Sequence, residues 1–329
     1  MERRLKDMDL SYFEMLKGAK NIIEVSSCFK KGEELLIVTD TDKFQVAQLI
    51  ALAAQNKGIS YTIAIMPVRK PGEEPPAPIA EAMKKADIII TPTTQSLYHS
   101  HATLAAREKG ARVIALSGVL PETLASPATR LDFASFKPIV ERVAEVYRKG
   151  NKIRVTSPSG TNIEAVIKGR RINVDGGICD KPGQAIGMPI MEVNTAPIED
   201  TTNGKIVIDT SMSFFGILNE NITLEVVNGR IEKITGGEEA KKLIEILKNK
   251  KDKNVYVIAE IAIGLNPKAE IKGILAEDEG VLGTMHFGIG NNITLGGKNK
   301  ANLHMDVIIN RPTMWLDDVL LTKDGQLQV

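Results

Sequence analysis

The sequence predicts an α/β N-terminal domain with a doubly wound, mostly parallel sheet, followed by an α+β C-terminal domain of mostly antiparallel strands. Three observations carry this expectation. Four short, unbroken apolar runs alternate with helical segments before residue 150. After Gly150-Asn151 the pattern changes to short alternating strands separated by turn residues. A chain of 329 residues is also too long for one ordinary small domain and fits two, each with its own core. The domains are therefore expected at residues 1–150 and 151–329.

The elements follow in order. Ser11 with Glu14 three residues on reads as a capping box, opening a helix whose apolar face carries Phe13, Leu16, Ile22 and Ile23. Residues 34–39, 59–66, 87–91 and 112–117 are the apolar runs; stretches such as Ile88-Ile89-Ile90 suit parallel strands covered on both faces. Helices are expected over 43–56, 78–85, 102–109 and 136–149, with Gly58 and Gly110 as stops for the first and third. The Pro- and Glu-rich stretch 70–77 reads as a solvated connection. In the second half, strands are expected at 152–156, 164–167, 204–210, 222–227 and 231–234, with Asn228-Gly229 as a hairpin turn and a helix over 238–248.

Composition excludes several function classes. Lys+Arg (42) nearly cancels Asp+Glu (41), so no basic surface for nucleic acid or anionic membrane is expected. No apolar run approaches the ~20 residues that cross a bilayer. The first residues show no signal-peptide hydrophobic stretch, and Cys28 and Cys179 form no CxxC, which together point to a cytoplasmic protein with two thiols. No GxGxxG follows the first strand, no nucleophile elbow is present, and Gly296-Gly297-Lys298 lacks the rest of a P-loop.

The chemistry lies where polar residues interrupt apolar strands. Glu260 sits inside Val255–Gly264, Glu192 inside Met188–Val193 and His286 inside Val281–Phe287; His304 and Asp306 lie two apart, on one face of a strand. Burying a lone carboxylate costs several kcal/mol even after relaxation, so such a group must be neutral, paired or bound to a metal. A mixed N/O set without Cys suits Zn²⁺, Co²⁺ or Mn²⁺, and so many ligands favour two ions sharing carboxylates.

Residues 150–320 resemble the metallo-aminopeptidase family typified by aminopeptidase T and aminopeptidase S. The matching segments are Met191-Glu192-Val193, Ala196-Pro197, Asn203-Gly204, the run from Glu260 to Gly264, Asp278-Glu279, the run from His286 to Gly290, and His304-Met305-Asp306. The N-terminal half is similar more loosely, through the run from Ser96 to His99 and the one from Gly110 to Arg112. The resemblance implies Glu192, Glu260, His286, His304 and Asp306 as metal ligands, Glu279 as a sixth, and a homodimer. It further implies a metal-activated water attacking the N-terminal bond of a small peptide, Glu192 or Glu279 as general base, and a covering role for the first domain. Where the family commonly has a Tyr seven residues after the motif His, this chain has Ile293.

The chain is also similar to a relative of these peptidases, the mononuclear iron dioxygenase that opens dihydroxypyridine rings. The shared-looking stretches run from Ile222 to Val226, from Gly264 to Pro267, from Gly296 to Lys298 and from Trp315 to Asp318. That enzyme has a His where this chain has Glu260, and no counterparts of Glu192 and His286. On ligand count the expectation is an aminopeptidase with two ions. The rival readings are an Fe(II) ring-cleaving dioxygenase and a metal-binding protein without activity.

Overall fold

A computed structural model describes residues 2–329, with side chains from Ser11 onward; the start of the chain, read above as free of a leader, lies outside the described side chains. The chain divides into two units, Met1–Phe136 with Asp175–Ile190, and Lys137–Val174 with Met191–Val329. Residues 175–190 belong with the first unit because Ala185–Gly187 adds a strand to its sheet, parallel to Arg112–Ala115.

The first unit is the doubly wound α/β fold. Its sheet is parallel, in the order Tyr61–Met66, Leu35–Asp40, Ile88–Thr91, Arg112–Ala115, Ala185–Gly187. Ile37, Val38, Ile89, Ile90 and Ile114 are fully buried, as strands covered on both faces require. Helices Phe44–Asn56, Ala77–Met83 and His101–Glu108 stand between the strands. The N-terminal helix differs from expectation. It spans Glu2–Asn21, so Ser11 and Glu14 lie inside it and cap nothing. Phe13 is 56% exposed; the buried stripe is Met15, Ala19 and Ile22, at the three- and four-residue spacing of a helix face.

The second unit is α+β and antiparallel. One sheet runs Arg230–Thr235, Ile222–Val227, Asn203–Ile208, Asn162–Val166, Lys152–Thr156, Thr313–Leu316, Val319–Lys323, Gln326–Leu327. The hairpin at Asn228-Gly229 has both residues at positive φ, 48° and 75°, as a type I′ turn demands. The other sheet runs Gly216–Ile217, Ser211–Met212, His304–Asn310, Thr284–Gly290, Ile258–Gly264, Glu192–Thr195, Asn173–Asp175. Its central strands are buried along nearly their whole length, which is why they read as apolar runs. Among the described residues no helix is long and apolar enough to cross a membrane. Cys28 and Cys179 form no disulfide.

Candidate metal centre

Four neighbouring strands of the second sheet build the site. Glu260 pairs with Gly288, and Gly288 with Asp306; Ala262 pairs with His286 on one side and Asn194 on the other; Gly264 pairs with Glu192. Side chains alternate between faces along a strand, so this register brings Glu192, Glu260, His286, His304 and Asp306 to a single face. A register shift between Ile258 and Glu260 marks a bulge beside Glu260, a device that re-aims a side chain next to a site.

Two glycines make the room. A Cβ on Gly288 would lie 2.7 Å from the Cβ of Glu260 and 2.8 Å from Cε1 of His304, so only glycine leaves the space over which these ligands converge. A Cβ on Gly264 would lie 2.9 Å from the carbonyl of Glu279 and 2.3 Å from that of Val281. The turn after helix Leu275–Asp278 can therefore lie against the sheet and bring Glu279 to the same cluster.

Glu260 joins the two imidazoles. Its Oε2 is 3.2 Å from Nε2 of His304, which is also 3.2 Å from Oδ1 of Asp306. Its Oε1 is 3.9 Å from Nε2 of His286, which stands 3.5 Å from Oε2 of Glu192. Nδ1 of His304 lies 2.7 Å from the carbonyl oxygen of Asn291. A carbonyl only accepts, so Nδ1 carries a proton; Nε2, held between the two carboxylates, donates to them when the imidazole is protonated and would turn its lone pair to a bound cation. Asn194 donates to Oε1 of Glu192 at 2.6 Å, and Asn173 donates to Asn194 at 2.8 Å.

The electrostatics are those of a cluster built for cations. Burial, reinforced by the charges of Asp306, Glu192 and Glu260, pushes the carboxyl of Glu279 well above its ordinary range, and it shares a hydrogen bond with Asp306. Burial works against a charged His304, but Asp306 and Glu260 outweigh it and hold the imidazole well above its usual pKa. Burial likewise opposes ionisation of Asp306, yet His304 brings it down to about 2. Burial and then the charges of Glu192 and Glu260 raise Tyr147. Without cations, the cluster balances its carboxylates with protons.

The donors fit a metal. Glu192, Glu260 and His286 form one group, and Glu260, His304 and Asp306 a second, each with ligand atoms within 4.8 Å of one another. Donors about 2.1 Å from a shared ion sit roughly 3.0–3.4 Å apart, close to the separations around His304. Nitrogen and carboxylate oxygen together suit Fe²⁺, Mn²⁺, Co²⁺ or Zn²⁺.

All the residues singled out in the sequence, Glu192, Glu260, Glu279, His286, His304 and Asp306, meet in this cluster. Ile293 is 47% exposed on the turn Ile293–Leu295, and Lys298 lies exposed with its backbone N–H on Glu199. His99 and His101 belong to the first unit. Sequence reading missed Asn194, the Asn291 carbonyl, Tyr147 and the role of Gly288. Of these only Gly288 left a signal, as part of the run from His286 to Gly290.

Comparison with known proteins gives the chain its family. The profile of the NicX family, 2,5-dihydroxypyridine 5,6-dioxygenase, matches residues 15–329. The 2,5-dihydroxypyridine 5,6-dioxygenase of Pseudomonas putida KT2440 is 28% identical over 258 residues, 75% of this chain and 72% of that protein. The solved structure of 2,5-dihydroxypyridine dioxygenase from Pseudomonas putida KT2440 has a TM-score of 0.82 at 21% identity, covering 95% of this chain and 96% of that one. Wild-type AmpT from Thermus thermophilus has a TM-score of 0.67 at 15% identity, covering 96% and 99%. At these identities the solved structures show the shared fold alone. The family match overturns the expected metallo-aminopeptidase, and with it the hydrolase and protease reading and the peptide substrate. The error has a physical reason: buried donors announce that a cation is bound, whereas the reaction depends on how substrate and oxidant meet it.

Proposed function

This chain belongs to the 2,5-dihydroxypyridine 5,6-dioxygenase family, and from that premise we propose that it is a metal-dependent dioxygenase opening a dihydroxylated nitrogen-heteroaromatic ring. In this reading Glu260, His304 and Asp306 hold one Fe²⁺ per chain. The observation that carries the assignment is His304 itself: its Nδ1–H is committed to Asn291, and its Nε2 faces Glu260 and Asp306 at equal distance. His286 is set up differently, since among the described residues its buried Nδ1 has no hydrogen-bond partner. A metal-ligating histidine nearly always has such a partner, which supports His304 over His286 as the ligand to the working ion.

Bound iron would supply the redox chemistry that joins dioxygen to the ring. The rest of the cluster works on the substrate. Glu192, fixed by Asn194, and Glu279, turned in by its helix end, are proposed to take the proton of a ring hydroxyl, and His286 between Glu192 and Glu260 to orient it. The surrounding apolar strands exclude water, which strengthens each of these contacts. The Glu192–Glu260–His286 group is proposed to bind a second ion only weakly. The homodimer is retained as a proposal, to be read by sedimentation.

The test is oxygen consumption by protein loaded anaerobically with Fe²⁺, presented with dihydroxylated pyridines. Uptake matching loss of the ring absorbance, and abolished in His304→Ala, is expected. Amide hydrolysis without oxygen uptake would overturn the assignment.

A further inference from the structure

We propose that Ser211 and Ser213 are positioning residues that set the acid pair Asp306–Glu279, an inference that rests on the metal-centre reading above and adds two residues to it. The strand Ser211–Met212 is short and borders the His304–Asn310 strand, with Met212 paired to Val307. Ser211 and Ser213 are two residues apart and both are buried.

Ser213 closes both sides of the Asp306 peptide. The Asp306 N–H donates to Oγ of Ser213 at 2.8 Å, and the Ser213 N–H donates to the Asp306 carbonyl at 2.9 Å. The ligand's backbone is thus held by a side chain as well as by the ladder, at the point where its carboxylate turns toward His304. Ser211 does the corresponding work one layer away. Its hydroxyl donates to Oδ2 of Asp278 at 2.6 Å, and Asp278 also accepts from the N–H groups of Lys272 at 2.8 Å and Gly273 at 3.0 Å. Glu277 pairs with Nζ of Lys272 at 2.8 Å. Of the acids Glu277, Asp278 and Glu279, the first two are thereby turned away and Glu279 is left facing the cluster. One short strand therefore fixes two acids that come from distant parts of the chain. Groups that orient metal ligands in this way typically change metal affinity about 10–100-fold when removed.

The experiment titrates metal-depleted protein with Co²⁺, whose visible absorption reports ligand geometry. Ser213→Ala is expected to weaken Co²⁺ binding roughly 10–100-fold and to alter the spectrum. Ser213→Thr, which keeps the hydroxyl, is expected to restore both. A folded Ser213→Ala protein with wild-type affinity and spectrum would overturn the proposal, as would a threonine variant no better than the alanine one. If Ser213→Ala does not fold, Ser211→Ala decides, because releasing Asp278 lets Glu279 move off its hydrogen bond with the ligand Asp306: a weakened, spectrally altered Co²⁺ complex supports the role, and an unchanged one refutes it. Turnover is not the readout. An unreactive enzyme whose Co²⁺ site responds to these changes would refute ring cleavage and leave this inference standing.

Discussion

Gly288→Ala is the substitution whose effect follows most directly from the geometry. The added methyl would meet the Cβ of Glu260 at 2.7 Å, Cε1 of His304 at 2.8 Å and Oε2 of Glu260 at 3.2 Å. Carbon atoms in contact prefer about 3.5–4.0 Å, so the Glu260 Cβ and the His304 Cε1 must each retreat by roughly 0.7–1.3 Å. Overpacking of that kind costs about 1–3 kcal/mol of stability in the metal-free protein. The larger effect is on the metal. Ligand distances tolerate only about ±0.2 Å, so two displaced ligands are expected to weaken binding by at least ~100-fold. The assay is metal content after dialysis against a weak chelator, with thermal unfolding of the metal-free protein alongside. A folded variant that keeps its metal with wild-type affinity would refute the placement of the ion over Gly288.

The remaining expectations concern the same cluster and one group in the first unit. His304→Ala should lose tight metal binding, whereas His286→Ala should keep one tightly held ion per chain; elemental analysis of both variants reads this, and the reverse pattern would reassign the ion. Because Glu279 and His304 are both raised in the metal-free cluster, loading should release protons near neutral pH and affinity should fall as the pH drops. Calorimetry in buffers of different ionisation enthalpy measures that release, and none at neutral pH would contradict it. In the first unit, burial pushes Asp175 from 3.8 to about 7 despite hydrogen bonds from Gly187 and Gly177. A raised folded-state pKa gives stability that is present at low pH and is lost as the pH rises from about 4 to about 7. Asp175→Asn should flatten that segment of a denaturation profile, and an unchanged slope would show that the carboxyl ionises freely.

The sequence revealed the ligands because charge inside an apolar strand is physically anomalous. Glu260 stands alone in its run, and His304 with Asp306 has the spacing of one strand face. The parallel sheet was legible for a related reason, since runs such as Ile88–Thr91 make sense only when covered on both sides. The supporting layer was hidden. Asn291 acts through a carbonyl that every residue possesses, and Asn194, Ser211 and Ser213 are common polar residues until the register places them. The start of the first helix was misread because Ser11 and Glu14 match a capping pattern, while the preceding residues are themselves strong helix formers. The chemistry was misread because the same donors serve a hydrolytic water and an oxygen-activating ion.

Labelled dioxygen decides the central claim. Protein loaded with Fe²⁺ and given a dihydroxylated pyridine under ¹⁸O₂ should yield a ring-opened product carrying both labelled atoms, with none drawn from water. A product whose new oxygen comes from labelled water, or no product at all from fully metallated protein, would contradict the account.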